Sequence, residues 1–175
     1  MKTLDAACMR WMQAHRTPGL AHVFRVLTWW GTGKTWGVLA GVLWILIAIG
    51  QAPMPRAPAF LRCALTAMLA WGVVSVVKRI VKRPRPHESG HEAAVRSPLG
   101  DSFPSGHAAA SVAFAVSLAA VGHPWAIGVA IWAAGVTFSR FYLGVHYPTD
   151  LLGGVLFGVP CGLVVLAAKR FFVVD

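Results

Sequence analysis

The chain has 175 residues, 57% of them hydrophobic, and a mean hydropathy of +0.62, which is too apolar for an ordinary soluble domain of this length. Its net charge of +10 could suit nucleic acid, but basic side chains on so apolar a chain meet lipid phosphate headgroups instead, so membrane lipids are expected as partners and nucleic acid is not. Cys8, Cys63 and Cys161 are odd in number and lack zinc-ligand spacing, and two fall in apolar stretches, so they read as small core residues rather than a disulfide framework.

The first 33 residues differ in kind from the rest. Leu4, Ala7, Cys8, Trp11 and Met12 recur at helical spacing, while Lys2, Arg10, His15 and Arg16 interrupt any apolar run. An amphipathic helix lying in the membrane interface is expected there. No apolar segment followed by a small-residue cleavage site marks a signal peptide.

Five apolar stretches follow that approach the roughly 20 helical residues needed to cross a hydrocarbon core. The first, Lys34 to Gly50, is at the short end of that range, and Trp29, Trp30 and Trp36 at its start suit an aromatic belt. The others are Ala59 to Val77, Gly106 to Gly122, Pro124 to Gly144 and Asp150 to Ala168. Gly37 with Gly41, and Gly154 with Gly158 and Gly162, follow the small-residue spacing that lets helices approach closely. Pro160 is expected to kink the last helix. The fold expected is all-α: one polytopic membrane helix bundle, residues 34–175, with about five transmembrane helices and the interfacial segment 1–33 ahead of it.

Five crossings would bring three polar clusters to one face of the membrane. The first runs from Lys78 through Arg79, Lys82 and Arg83 to Arg85-Pro86. Alone it also fits a solvated basic patch on anionic lipid, but Arg85 ahead of a rigid proline suits bidentate phosphate recognition, with Lys78 a point charge seven residues earlier. The second is Pro104-Ser105-Gly106-His107, ahead of an Ala-rich helix. Ser105 is a plain N-cap on one reading. On the other, a helix N-terminus offers N–H groups to an anion, Gly106 allows close approach, and His107 stands by as a proton donor.

The third cluster is Ser139-Arg140, then His146, then Asp150. A charged Arg140 inside an apolar run needs a polar cavity and a partner. With Pro148 in the first turn of the last helix, Asp150 can hold one nitrogen of His146 and leave the other free to attack. His87, Glu88, His91 and Glu92 have a spacing reminiscent of metal ligands, yet their place in the loop between two clusters reads as a rim over the pocket.

Together the clusters resemble the type 2 phosphatidic-acid phosphatase superfamily, which includes vanadium haloperoxidases and bacterial acid phosphatases. Its pattern is Lys, six residues, Arg-Pro; Pro-Ser-Gly-His; and Ser-Arg, five residues, His, three residues, Asp. The chain matches it without departure from Lys78 to Asp150. The resemblance implies a phosphatase with no metal and no cofactor, working through a phosphohistidine. By matching position, His146 is the nucleophile, Asp150 orients it, and His107 protonates the leaving oxygen. Lys78, Arg85, Ser105, the Gly106 N–H and Arg140 hold the phosphoryl oxygens.

A haloperoxidase is disfavoured because those of the family are soluble. A lipid phosphotransferase would use the same intermediate, and a silent lipid-phosphate-binding protein is the reading outside enzymes. The substrate expected is a lipid phosphate, with polyprenyl (undecaprenyl) diphosphate ahead of phosphatidylglycerophosphate, phosphatidic acid and lipid A, because the short chain resembles small bacterial undecaprenyl-diphosphate phosphatases. Oligomeric state leaves no trace in the sequence.

Sidedness meets a conflict. Lys78, Arg79, Lys82, Arg83, Arg85, Arg96 and Arg140 lie on the site's side, against Arg56, Arg62, Lys169 and Arg170 opposite. Charge alone would turn the site to the cytoplasm. Phosphate binding accounts for several of these charges, and bacterial relatives work on the outer face. The site is therefore expected outside the bacterial inner membrane, with a cytoplasmic C-terminus. A single cysteine replacing Ser89 should react with an impermeant maleimide added from outside; labelling from the cytoplasm alone would contradict this orientation.

Overall fold

The computed structural model describes residues 2–51, 57–98 and 100–168. Among them are seven α-helices and no strand: α1 (Lys2–His15), α2 (Pro18–Trp29), α3 (Gly33–Ala48), α4 (Ala57–Val81), α5 (Gly106–Ala120), α6 (Ala126–Tyr142) and α7 (Pro148–Ala168). A short 3-10 turn, Pro86–Ser89, lies between α4 and α5. Local chemistry sets many of the ends. Pro18 and Pro148 open α2 and α7, where a missing N–H costs nothing, and Thr32 Oγ1 caps α3 by accepting from Thr35 N at 3.1 Å. α4 stops where Lys82 turns left-handed (φ 48) ahead of Pro84, which cannot continue a helix.

Helix α5 is the centre of the bundle, packed by α4, α6 and α7. Ala108, Ala109, Ala110, Ala113 and Leu118 on it are fully buried. The α5 and α7 backbones meet at van der Waals range. A Cβ on Gly154 would fall 2.6 Å from Ala108 Cβ, on Gly158 2.7 Å from the Ala109 carbonyl, and on Gly162 2.6 Å from the Ala113 carbonyl. The expected small-residue seam is thus present on α7. It is absent on α3, where Gly41 has nothing within 4 Å and Gly37 only Met68 at 3.9 Å. Spacing gives the stripe but not its neighbour: on α3 Gly41 is exposed and Gly37 half-buried, with no backbone against either among the described residues.

Helix lengths, Trp36 and the N-terminal segment refine the sequence reading. Helices α4 and α7 are each long and apolar enough to cross a membrane, and α2 with α3, bent by 42°, passes as a third span if the pair counts as one. Helices α5 and α6 are apolar but only 15 and 17 residues long, so α5 spans about 22 Å at 1.5 Å per residue, short of a ~30 Å core. Trp29 and Trp30 are exposed, as a belt requires, whereas Trp36 turns inward and packs on Phe114 at 4.4 Å.

The first 33 residues form two helices rather than one, and α2 lies along α6. On α1, Leu4 and Trp11 face outward while Asp5, Met9 and Met12 are buried against the protein. Helix α7 runs on through Pro160. Cys63 and Cys161 are buried core residues, and Cys8 is partly exposed. Arg56, Lys169 and Arg170 lie outside the described residues.

Overpacking the α5–α7 seam should be costly. Gly158→Leu is expected to destabilise by about 1–3 kcal/mol or more and lower the thermal midpoint in detergent, while Gly41→Ala leaves it unchanged or slightly higher. Equal midpoints for the two variants would contradict this packing.

Candidate active site

The three clusters converge where α4 ends, α5 and α7 begin, and α6 ends. The α5 N-cap is Ser105, fully buried in extended backbone, with Oγ accepting from Ala108 N at 3.5 Å. Its own backbone N–H donates to the Asp150 carbonyl at 2.9 Å, which locks the start of α5 to the first turn of α7. Gly106 lies under the Trp71 indole, and an added Cβ would come within 3.2 Å of that ring.

His146 occupies the turn between α6 and α7. That turn is shaped by Gly144, whose φ of +76 favours glycine and where a Cβ would lie 2.6 Å from the Glu92 carbonyl. The imidazole is 2% exposed. Its Nδ1 lies 3.4 Å from Asp150 Oδ2, and its Nε2 lies 3.4 Å from Arg85 Nη1. With the proton on Nδ1, that N–H points at the carboxylate and the Nε2 lone pair faces the guanidinium. Burial pushes the His146 pKa down to about 3 against the opposing pull of the Asp150 hydrogen bond, so the ring is neutral near pH 7.

Asp150 is fully buried, and a carboxylate so placed must be surrounded by donors. Oδ2 accepts from Tyr147 N at 2.8 Å and from the Ser102 hydroxyl, and Oδ1 accepts from Arg83 Nη1 at 2.7 Å.

The remaining cations are tethered by carbonyls and hydroxyls, which leaves their charge largely uncompensated. Arg85 donates through Nε to the Gly100 carbonyl at 2.7 Å and through Nη1 to the Val145 carbonyl at 3.0 Å. Lys78 Nζ donates to the carbonyls of Asp101 and Ser102 at 2.7 and 3.1 Å. Arg140 is 4% exposed and donates through Nη1 to Thr28 Oγ1 at 2.8 Å, while its buried Nε has no partner among the described residues. Such an orphaned donor in a cluster of cations suits an anion. His107, partly buried on the first turn of α5, approaches Gly31 at the α2–α3 bend, where a Cβ would lie 3.3 Å from its ring.

All eight residues singled out in the sequence therefore lie on the elements that meet here. His87 and Glu88 stand 3.9 Å apart, whereas His91 turns edge-on to Tyr147, so that quartet does not converge on a common point. Sequence reasoning missed Asp5, Thr28, Ser102 and Tyr147, and took Arg83 for one charge of a basic patch. Asp5 did leave a signal: it is an acid on an amphipathic helix of a strongly basic chain.

Two solved structures share this fold. Aquifex aeolicus LpxE aligns with a TM-score of 0.75 and 27% identity over 94% of this chain and 95% of its own. The transmembrane PAP2-type phosphatidylglycerolphosphate phosphatase of Bacillus subtilis aligns at 0.72 over 98% and 87%, its 24% identity showing likeness of fold alone. The decaprenylphosphoryl-5-phosphoribose phosphatase of Mycobacterium tuberculosis is 33% identical over 125 residues, covering 70% of this chain and 69% of the relative. The model of the PAP2 superfamily matches residues 59–172, which contain every residue of the three clusters, and with that the chain belongs to the PAP2 superfamily, among its membrane lipid phosphatases.

Proposed function

We propose that the protein removes phosphate from a polyprenyl-linked lipid through a phosphohistidine at His146. The observation that carries this reading is the two-sided hold on His146, with Asp150 on Nδ1 and Arg85 beside Nε2. When the phosphoryl group arrives, Arg85 turns its charge to the phosphoryl oxygens and the Nε2 lone pair attacks phosphorus in line with the leaving oxygen. Arg85, Arg140, Lys78, the Ser105 hydroxyl and the Gly106 N–H stabilise the equatorial oxygens. His107 protonates the departing oxygen, then takes a proton from the water that attacks the phosphohistidine. Three fixed cations and aligned N–H groups supply the charge stabilisation, so no metal is needed.

Two observations favour a lipid substrate with a long apolar chain. A groove of about 420 Å³ between α5, α6 and α7 is walled by Val112, Ala133, Phe138, Leu151 and Val155, and Leu151 follows Asp150 in the chain. The Mycobacterium tuberculosis relative is named for a decaprenyl-linked substrate. Polyprenyl diphosphate is the first reading of the headgroup. The second, favoured by that relative, is a phosphate ester on a sugar carried by polyprenyl phosphate. On this reading the site faces outward from a bacterial inner membrane, since phosphate binding rather than orientation accounts for Lys78, Arg85 and Arg140 among the charges on its side.

Phosphate release by purified protein in detergent and EDTA should be measured with polyprenyl diphosphate, a polyprenyl-linked sugar phosphate, phosphatidylglycerophosphate, phosphatidic acid and lipid A. Turnover of a polyprenyl substrate that His146→Ala abolishes is expected. Turnover confined to the glycerolipids or lipid A would overturn the substrate class, and no release from any would favour a transferase or a binding protein. Arg85→Lys and Arg140→Lys should each lose roughly 10²-fold in kcat, because an ammonium cannot reproduce the planar fork. Wild-type kcat in both variants would remove those arginines from the phosphate cradle.

A further inference from the structure

Beside the site, Arg83 has both ends of its guanidinium committed. Arg83 Nη1 donates to Asp150 Oδ1 at 2.7 Å and to Thr149 Oγ1 at 2.6 Å, and Nη2 donates to Asp5 Oδ2 at 2.7 Å. Its flat face covers the Tyr147 ring, 4.2 Å from the centroid. Asp5 itself is 1% exposed. It accepts from Thr149 N at 3.3 Å and from Thr149 Oγ1 at 2.6 Å, as an N-terminal carboxylate would, but it comes from a helix far away in the chain.

A buried carboxylate is costly unless paired, so Asp5 and Arg83 hold each other in place, and Arg83 in turn fixes one oxygen of Asp150. With Oδ1 taken by Arg83, Oδ2 is the oxygen left facing His146 Nδ1. Asp5 lies outside the residues 59–172 matched by the family model.

We infer that Asp5 and Arg83 are positioning residues: through the chain Asp5, Arg83, Asp150, His146, docking of α1 fixes the orientation of the nucleophile. The inference rests on the assignment of His146 as nucleophile. The exposed Leu4 and Trp11 on the opposite face of α1 seat that helix in the apolar phase, while its inner face grips Arg83.

The test is steady-state kinetics and thermal midpoints on the full chain in detergent, with the polyprenyl phosphate it turns over best. Asp5→Asn and Arg83→Gln should each lower kcat about tenfold or more, with KM within about twofold and the midpoint little changed. The double variant should be no slower than the slower single, because the two residues act as one unit. Arg83→Lys should restore part of the rate. Thr149→Val, which removes the hydroxyl bridging Asp5 and Arg83, should lower kcat at constant KM and serves if Asp5→Asn does not fold. Wild-type kcat in Asp5→Asn or in Thr149→Val, losses that multiply in the double variant, or a loss that appears in KM alone would overturn the inference. Full turnover in His146→Ala would instead overturn the nucleophile assignment, whatever the Asp5 variants do.

Discussion

Asp150 carries its charge with no surface open to solvent, in a chain built mostly to lie in lipid. A carboxylate there is tolerable only inside a shell of donors, and the shell it gathers draws on every part of the site. Ser102 comes from the loop ahead of α5, Tyr147 and His146 from the turn before α7, and Arg83 from just beyond α4. Even its backbone carbonyl is used, accepting from Ser105 at the start of α5. The segment after α4, the loop into α5 and the turn before α7 are thereby held against one residue.

The glycine seam between α5 and α7 makes this possible. Because Gly154 lets the Ser105 carbonyl within 2.7 Å of where a Cβ would stand, the N-termini of both helices reach the same point. Two helix N-termini then meet beside the cations Lys78, Arg85 and Arg140, with the buried Asp150 among them. The imbalance is stable in the resting protein because carbonyls tether the Lys78 ammonium and the Arg85 guanidinium. On the proposed mechanism it gives a phosphoryl group a strong reason to bind and stabilises the charge that develops on the equatorial oxygens.

Much of this was legible from sequence because the cluster spacings are local. Lys78 to Arg85, Ser105 to His107 and Arg140 to Asp150 each lie within a short stretch around a helix end or turn, where chain geometry limits what can be near what. Helix ends were also close: Ala59 to Val77 is α4 at Ala57–Val81, and Gly106 to Gly122 is α5 at Gly106–Ala120. Contacts across the bundle were not legible. Asp5 with Arg83 and Thr28 with Arg140 join helices through single side chains, and no periodicity marks such a pair. The same limit explains the glycines, since the stripes on α3 and α7 look alike while only the α7 stripe meets a partner backbone.

The central claim is covalent: the phosphoryl group spends part of each turnover on His146 Nε2. Quenching turnover of a lipid bearing a radiolabelled phosphate into alkali, followed by proteolysis, tests it most directly. The account predicts one base-stable, acid-labile phosphoryl group on the peptide containing His146, absent when that residue is alanine. Steady turnover with no labelled enzyme at any quench time, or a label on another residue, would contradict it.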